Sequence, residues 1–178
     1  MPDATWKTVF VGDREVTVSP DALVMYLKWA NGNKLAADVI RHVGAACQVA
    51  DDLVDERDIK DPSGKMVELV VLLAGALQTN KFYDENRKML EPVIMTTLLS
   101  WDLANTLVAG PGHGTLGDRR YAFAYRELIE QVVGIIALLT GGIAHARQSL
   151  LESHAWHHVL NGESFEDYEK ELLASCEA

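Results

Sequence analysis

The chain has 178 residues, 48% of them hydrophobic, and 26 Asp+Glu against 16 Lys+Arg give it a net charge of −10. That length supports one domain with a real core but not two comfortable ones. An acidic surface of this kind repels phosphate backbones and anionic lipid, so no nucleic-acid partner is expected. No uninterrupted apolar run reaches about 18 residues, so no membrane span is expected either. The first residues, Met1 to Trp6, carry neither a basic nor an apolar leader pattern, and a cytoplasmic location follows as an expectation. Cys47 and Cys176 are too few for a disulfide framework or a C-x-x-C zinc site.

In chain order, Trp6–Val11 and Glu15–Val18 are β-rich and flank Gly12-Asp13-Arg14, which predicts a short hairpin. Residues 1–19 thus form a β-hairpin appendage, and residues 20–178 read as an all-α domain, a single antiparallel helical bundle. Ser19 as N-cap with Pro20 at N1 starts a helix ending near Gly32. Asn33 caps a second helix from Lys34 to about Arg57, whose apolar stripe runs through Leu35, Ala36, Val39, Ile40, Val43, Cys47, Ala50 and Val54. After the turn Asp61–Gly64, helices are predicted over Lys65–Gln78, Lys81–Leu90 and Pro92–Ala109. Gly110–Gly117 is a glycine-rich loop that lacks the Gly-Lys-Ser/Thr of a phosphate-binding loop. Asp118 opens a long helix through Leu150, bent near Gly141-Gly142, and Ser164 with Asp167 caps a last one.

The end of the second helix breaks the pattern. Asp51 and Asp55 stack one turn apart, with Asp52 within a turn of Asp55. Like charges at that spacing destabilise a helix, and acid at a helix C-terminus opposes the macrodipole. A divalent cation offsets both, and Mg²⁺ needs only one or two carboxylates because it retains several waters. A Mg²⁺ cluster held between two acidic patches would clamp a diphosphate.

The run Cys47–Glu56 resembles the first aspartate-rich motif of squalene and phytoene synthases. Gly44, Gln48 and the Asp51-Asp52-x-x-Asp55 core equally resemble the second aspartate-rich motif of polyprenyl diphosphate synthases. The resemblance implies an all-α, class I isoprenoid-synthase-like fold, with Asp51, Asp52 and Asp55 as Mg²⁺ ligands, Asp51 and Asp55 central to catalysis, and Gln48 and Glu56 as their neighbours. A prenyl diphosphate is the ligand it implies, and a transferase or lyase the activity.

No second Asp-x-x-x-Asp motif follows, so any opposing ligand must come from isolated acids elsewhere in the chain. Asp102, one turn from Asn105 in an apolar helix, is expected to be buried and is one candidate metal ligand. Glu127 is another, on a face shared with Glu130, Gln131, Gly134, Leu138, Gly141 and His145. Gly134 and Gly141 suggest close approach by a helix or a ligand. Gln48, Arg119 and Arg120 are candidate substrate-binding residues, the two arginines for the leaving diphosphate. His154, His157 and His158 read as surface histidines, because no third zinc ligand is assigned.

Three functions fit these residues. The first is a Mg²⁺-dependent prenyl-diphosphate-binding protein, a small prenyltransferase or terpene-synthase-like enzyme. The second is a non-enzymatic helical scaffold or assembly protein, for which four tryptophans and the N-terminal hairpin suit partner contacts; a homodimer is the protein partner expected. The third is an all-α nucleotide pyrophosphohydrolase, with Glu127-x-x-Glu130 as its second acidic helix.

Overall fold

The computed structural model describes residues 6–55, 60–109, 113–125, 129–160 and 164–174. Among them are an antiparallel hairpin of β1 (Lys7–Val11) and β2 (Arg14–Val18) and seven α-helices. These are α1 (Ala22–Trp29), α2 (Lys34–Asp55), α3 (Pro62–Val70), α4 (Lys81–Val108), α5 (Leu116–Tyr125), α6 (Ile129–His154) and α7 (Phe165–Ala174). Alpha-helical turns give way to π-helical ones at Val71–Ala76 and Ala155–Leu160. The helical class and the N-terminal hairpin are therefore as read from the sequence.

The hairpin pairs Lys7 with Val18 through to Val11 with Arg14. It buries Val16 and Val18 in the main core and leaves Phe10 exposed. A two-stranded ribbon is marginal alone; here it leans on the 155–160 segment, where Trp156 Nε1 donates to the Ser19 carbonyl at 2.9 Å.

Helix α2 is the central element, packing on α1, α3, α4, α6 and the 71–76 segment. Its buried residues Ala36, Val39, Ile40, Val43, Ala46, Val49 and Ala50 keep helical spacing. Asn33 caps it through Ala36 N–H, as expected. Asn80 caps α4 by accepting from Tyr83 N–H at 3.0 Å, while its Nδ2 donates to the Leu35 carbonyl at 2.9 Å. At the other end Trp101 reaches Asp51. Early residues of α4 thus meet early residues of α2, and late ones meet late ones. This pair runs parallel, with α3 and the 71–76 segment making the return between them.

Several boundaries differ from expectation. Asp21, not Ser19, caps α1, accepting from Leu23 N–H at 2.9 Å. Pro92 lies inside α4 and does not divide it, because Pro92 and Lys88, whose carbonyl loses its bond to the missing N–H, both sit on the exposed side. Asp118 stands at the third position of α5, not its start; Thr115 and Asp118 cap each other reciprocally, and Ser164 and Asp167 share a bond of the same kind in front of α7.

The predicted Asp118–Leu150 helix is two elements, α5 and α6, and the predicted bend is a reversal. Gly142 has φ 77° and ψ −176°, backbone that only glycine adopts readily. His154 Nδ1 lies 3.6 Å from Glu130 Oε1. A straight helix would put those residues about 36 Å apart. The arms 129–141 and 143–154 therefore lie side by side. A Cβ on Gly134 would meet Leu150 at 2.9 Å, so the close approach anticipated there is by the returning arm. Asn31 Nδ2 donates to the Thr140 carbonyl at 2.9 Å, satisfying the end of the first arm. By length and composition alone Ile129–His157 is apolar enough to cross a membrane, although it holds no uninterrupted apolar run of about 18 residues. Folded back at Gly142, each arm falls short of the roughly 20 residues a span needs.

Gly142→Ala is expected to lower unfolding stability by about 1–3 kcal/mol, read as a shift of the urea midpoint at unchanged m-value.

Candidate functional site

The last two turns of α2 lie between α3 and α4. Asp61 caps α3 by accepting from Gly64 N–H, and this start carries Lys65 to Asp52, with which it forms a short ion pair. Gln48 Nε2, one turn back on α2, donates to the other Asp52 oxygen at 3.0 Å. The hydrogen bonds from Lys65 and then Gln48 hold the Asp52 carboxyl below its ordinary value.

From the other side, Trp101 Nε1 donates to Asp51 Oδ1 at 3.3 Å. Trp101 belongs to the inward stripe of α4, which runs Leu90, Ile94, Thr97, Trp101, Ala104 and Val108 at steps of three and four. Burial, and next the Asp51 charge, push the Cys47 thiol up to about 11. It stays protonated at neutral pH and is no nucleophile.

Not every predicted ligand comes here. Asp102 is exposed on the outer face of α4 beside Leu103 and Thr106, so its expected burial is corrected. The stripe of α4 turns Trp101 inward and carries Asp102 out. Arg119 is taken by Glu169, Nε to Oε1 at 2.8 Å, and donates through its guanidinium to the Gly114 carbonyl at 2.9 Å. Arg120 lies 5.7 Å from the Phe165 ring centroid. Both arginines thus belong to the small cluster of α4, α5 and α7 around Ala104, Val108, Ala122 and Tyr168, not to the Asp51 end of α2. Glu130 faces His154 across the α6 hairpin. Asp55 closes α2, but its side chain, like Glu56 and Glu127, lies outside the described residues.

Lys65 and Trp101 are the participants that sequence reasoning missed. Trp101 had a legible signal, the step of four from Thr97 on a buried stripe. Lys65 had none, because its place depends on how α3 folds back after residue 61.

The donors suit a hard cation. Asp51 and Asp52 present carboxylate oxygens on neighbouring faces of α2, toward α4 and α3 respectively; Mg²⁺ takes one or two carboxylates and keeps its waters, so either could serve as a ligand, and on Asp52 the ion would have to displace the Lys65 ammonium. Among the described residues no three His, Cys, Asp or Glu side chains converge as a ligand set. Two polar atoms on the inward side of α4 have no hydrogen-bond partner among the described residues, Thr97 Oγ1 and Asn105 Nδ2. Each such buried group costs about 1–3 kcal/mol. No family model matches this chain, and neither a curated protein nor a solved structure matches it.

A depressed carboxyl pKa contributes stability above its unfolded value, and that contribution is lost as pH falls through the folded value. Lys65→Met is therefore expected to return the Asp52 titration, followed by carboxyl NMR, toward the ordinary value near 3.8. It should also narrow the stability difference between neutral and acid pH.

Proposed function

We propose that the acidic end of α2 binds Mg²⁺ together with a diphosphate, as the isoprenoid-synthase resemblance implies, and serves departure of diphosphate from a prenyl substrate. The observation that carries this reading is the junction itself. Adjacent carboxylates are held in place from two different helices, by Trp101 and by Lys65, with the ammonium already beside them. Asp51 and Asp52 would hold the ion, with Asp55 next on the same face by the motif. Trp101 orients Asp51, a hydrogen bond to a ligating carboxylate of the kind that sharpens metal sites. Lys65, released from Asp52, donates to a phosphate oxygen, and Gln48 continues to steer Asp52. Mg²⁺ when bound supplies charge neutralisation on the leaving diphosphate. An isoprenoid-synthase-like arrangement of the helices belongs to this proposal, as does a cytoplasmic setting.

Calorimetry with Mg²⁺ and inorganic diphosphate tests it. Wild-type protein is expected to bind both, and at a hundredfold excess over Kd to gain about 2.7 kcal/mol of stability. Asp51→Asn should abolish Mg²⁺-dependent diphosphate binding; equal binding by this variant removes the site.

A second reading, a helical assembly protein, is favoured by one observation. Neither α3 nor the 71–76 segment buries a residue, yet Met66, Val67, Val70 and Val71 are all more than half exposed. These four fall on one side of the stretch at helical spacing, and a contiguous exposed apolar patch of this kind marks a contact surface. Lys65 and Glu68 are the charges of this stretch, so a second copy meeting it brings no block of like charge together. On this reading sedimentation velocity finds a dimer that Val67→Glu with Val70→Lys converts to monomer. A monomeric wild-type protein at high micromolar concentration rules it out.

A further inference from the structure

We propose that α3 and the 71–76 segment pair with the same stretch of a second copy in antiparallel register, about a twofold axis at Val70. The inference rests on the assembly reading above and adds how its two chains are arranged.

The stretch is apolar on two opposite sides. Leu69, Leu72 and Leu73 are half-buried on the side that packs against α2, and Leu77 is buried just beyond them. Met66, Val67, Val70, Val71 and Ala74 are exposed on the other side, at steps of three and four. Lys65 belongs to the α2 side, where it meets Asp52. No charge occurs between Glu68 and Lys81. Water is a poor cover for such a stripe. Two copies set face to face remove on the order of 1,000 Å² from it, the lower limit for a specific interface.

Size and charge both select the direction of pairing. The bulky end of the stripe is Met66 and Val67, and the small end is Ala74 with Gly75. Beside Gly75 there is room, since a Cβ there would meet nothing nearer than Val71 Cγ1 at 4.0 Å. With Val70 of each copy on the twofold axis, Met66 of one copy faces Ala74 and Gly75 of the other. Bulk then fills the space left by small residues at both ends of the seam. A parallel pair sets bulk on bulk and leaves a gap at its far end. It also brings Glu68 against Glu68, a like-charge contact that costs affinity. The antiparallel pair lays each Glu68 beside the uncharged run that follows it.

Disulfide trapping tests the register. Single-cysteine variants are made in a Cys176→Ser background, where the Cys47 thiol stays protonated at neutral pH. They are oxidised at high micromolar concentration, with thermal melts as fold controls. Val70→Cys is expected to form a covalent dimer, because the twofold axis sets that residue against itself. Met66→Cys and Ala74→Cys are each expected to stay largely uncoupled alone. Mixed, they should give a covalent heterodimer, resolved by mass, at least tenfold above either homodimer. Self-coupling of Met66→Cys with no heterodimer on mixing overturns the antiparallel register and leaves the assembly reading in place. No covalent dimer from Val70→Cys overturns this inference outright. A wild type that sediments as a monomer assigns the stripe to a different partner and removes the assembly reading as well.

Discussion

One amide sets the register on which the candidate site depends. Asn80 closes the first turn of α4 with its oxygen and holds the first turn of α2 with its nitrogen. Twenty-one residues later along α4, Trp101 arrives at Asp51. The intervening contacts are apolar and directional only in bulk, involving Val39, Ile40 and Val43 on one helix and Leu90 and Ile94 on the other. Such surfaces tolerate sliding by a turn. The two-ended bond of Asn80 does not, since a shift would part its oxygen from the Tyr83 N–H or its buried amide nitrogen from the Leu35 carbonyl.

The sequence announced most of the elements because their signals are local. Asn33, Ser164 with Asp167, and the Gly12 turn all act within three or four residues of themselves, and each stands where local chemistry puts it. The failures share a cause as well. Pro92 reads as a breaker only while the missing hydrogen bond is assumed to matter, and on an exposed side water replaces it. Gly141-Gly142 reads as a bend because sequence shows where the backbone is free to turn, not how far. The size of that turn is decided by remote partners, Asn31 at Thr140 and His145, whose Nε2 lies 2.9 Å from the Trp29 carbonyl.

Legibility of the site follows the same division. That α2 ends in a stack of carboxylates was visible from spacing. Which groups answer them was not, because Lys65 and Trp101 come from other helices whose packing angles sequence does not carry. The two arginines proposed for the task sit in a separate cluster, satisfied by Glu169 and by the Phe165 ring.

The contact between Trp156 and Ser19 constrains the order in which the molecule can be completed. The two residues are 137 positions apart. During synthesis the ribbon is made well before the far side of the α6 reversal, against which it lies. Loop-closure entropy of that size must be met before the contact yields anything. Until then the paired ribbon lacks the α6 and 155–160 surfaces it packs on, and Val16 and Val18 gain full burial only with those later segments.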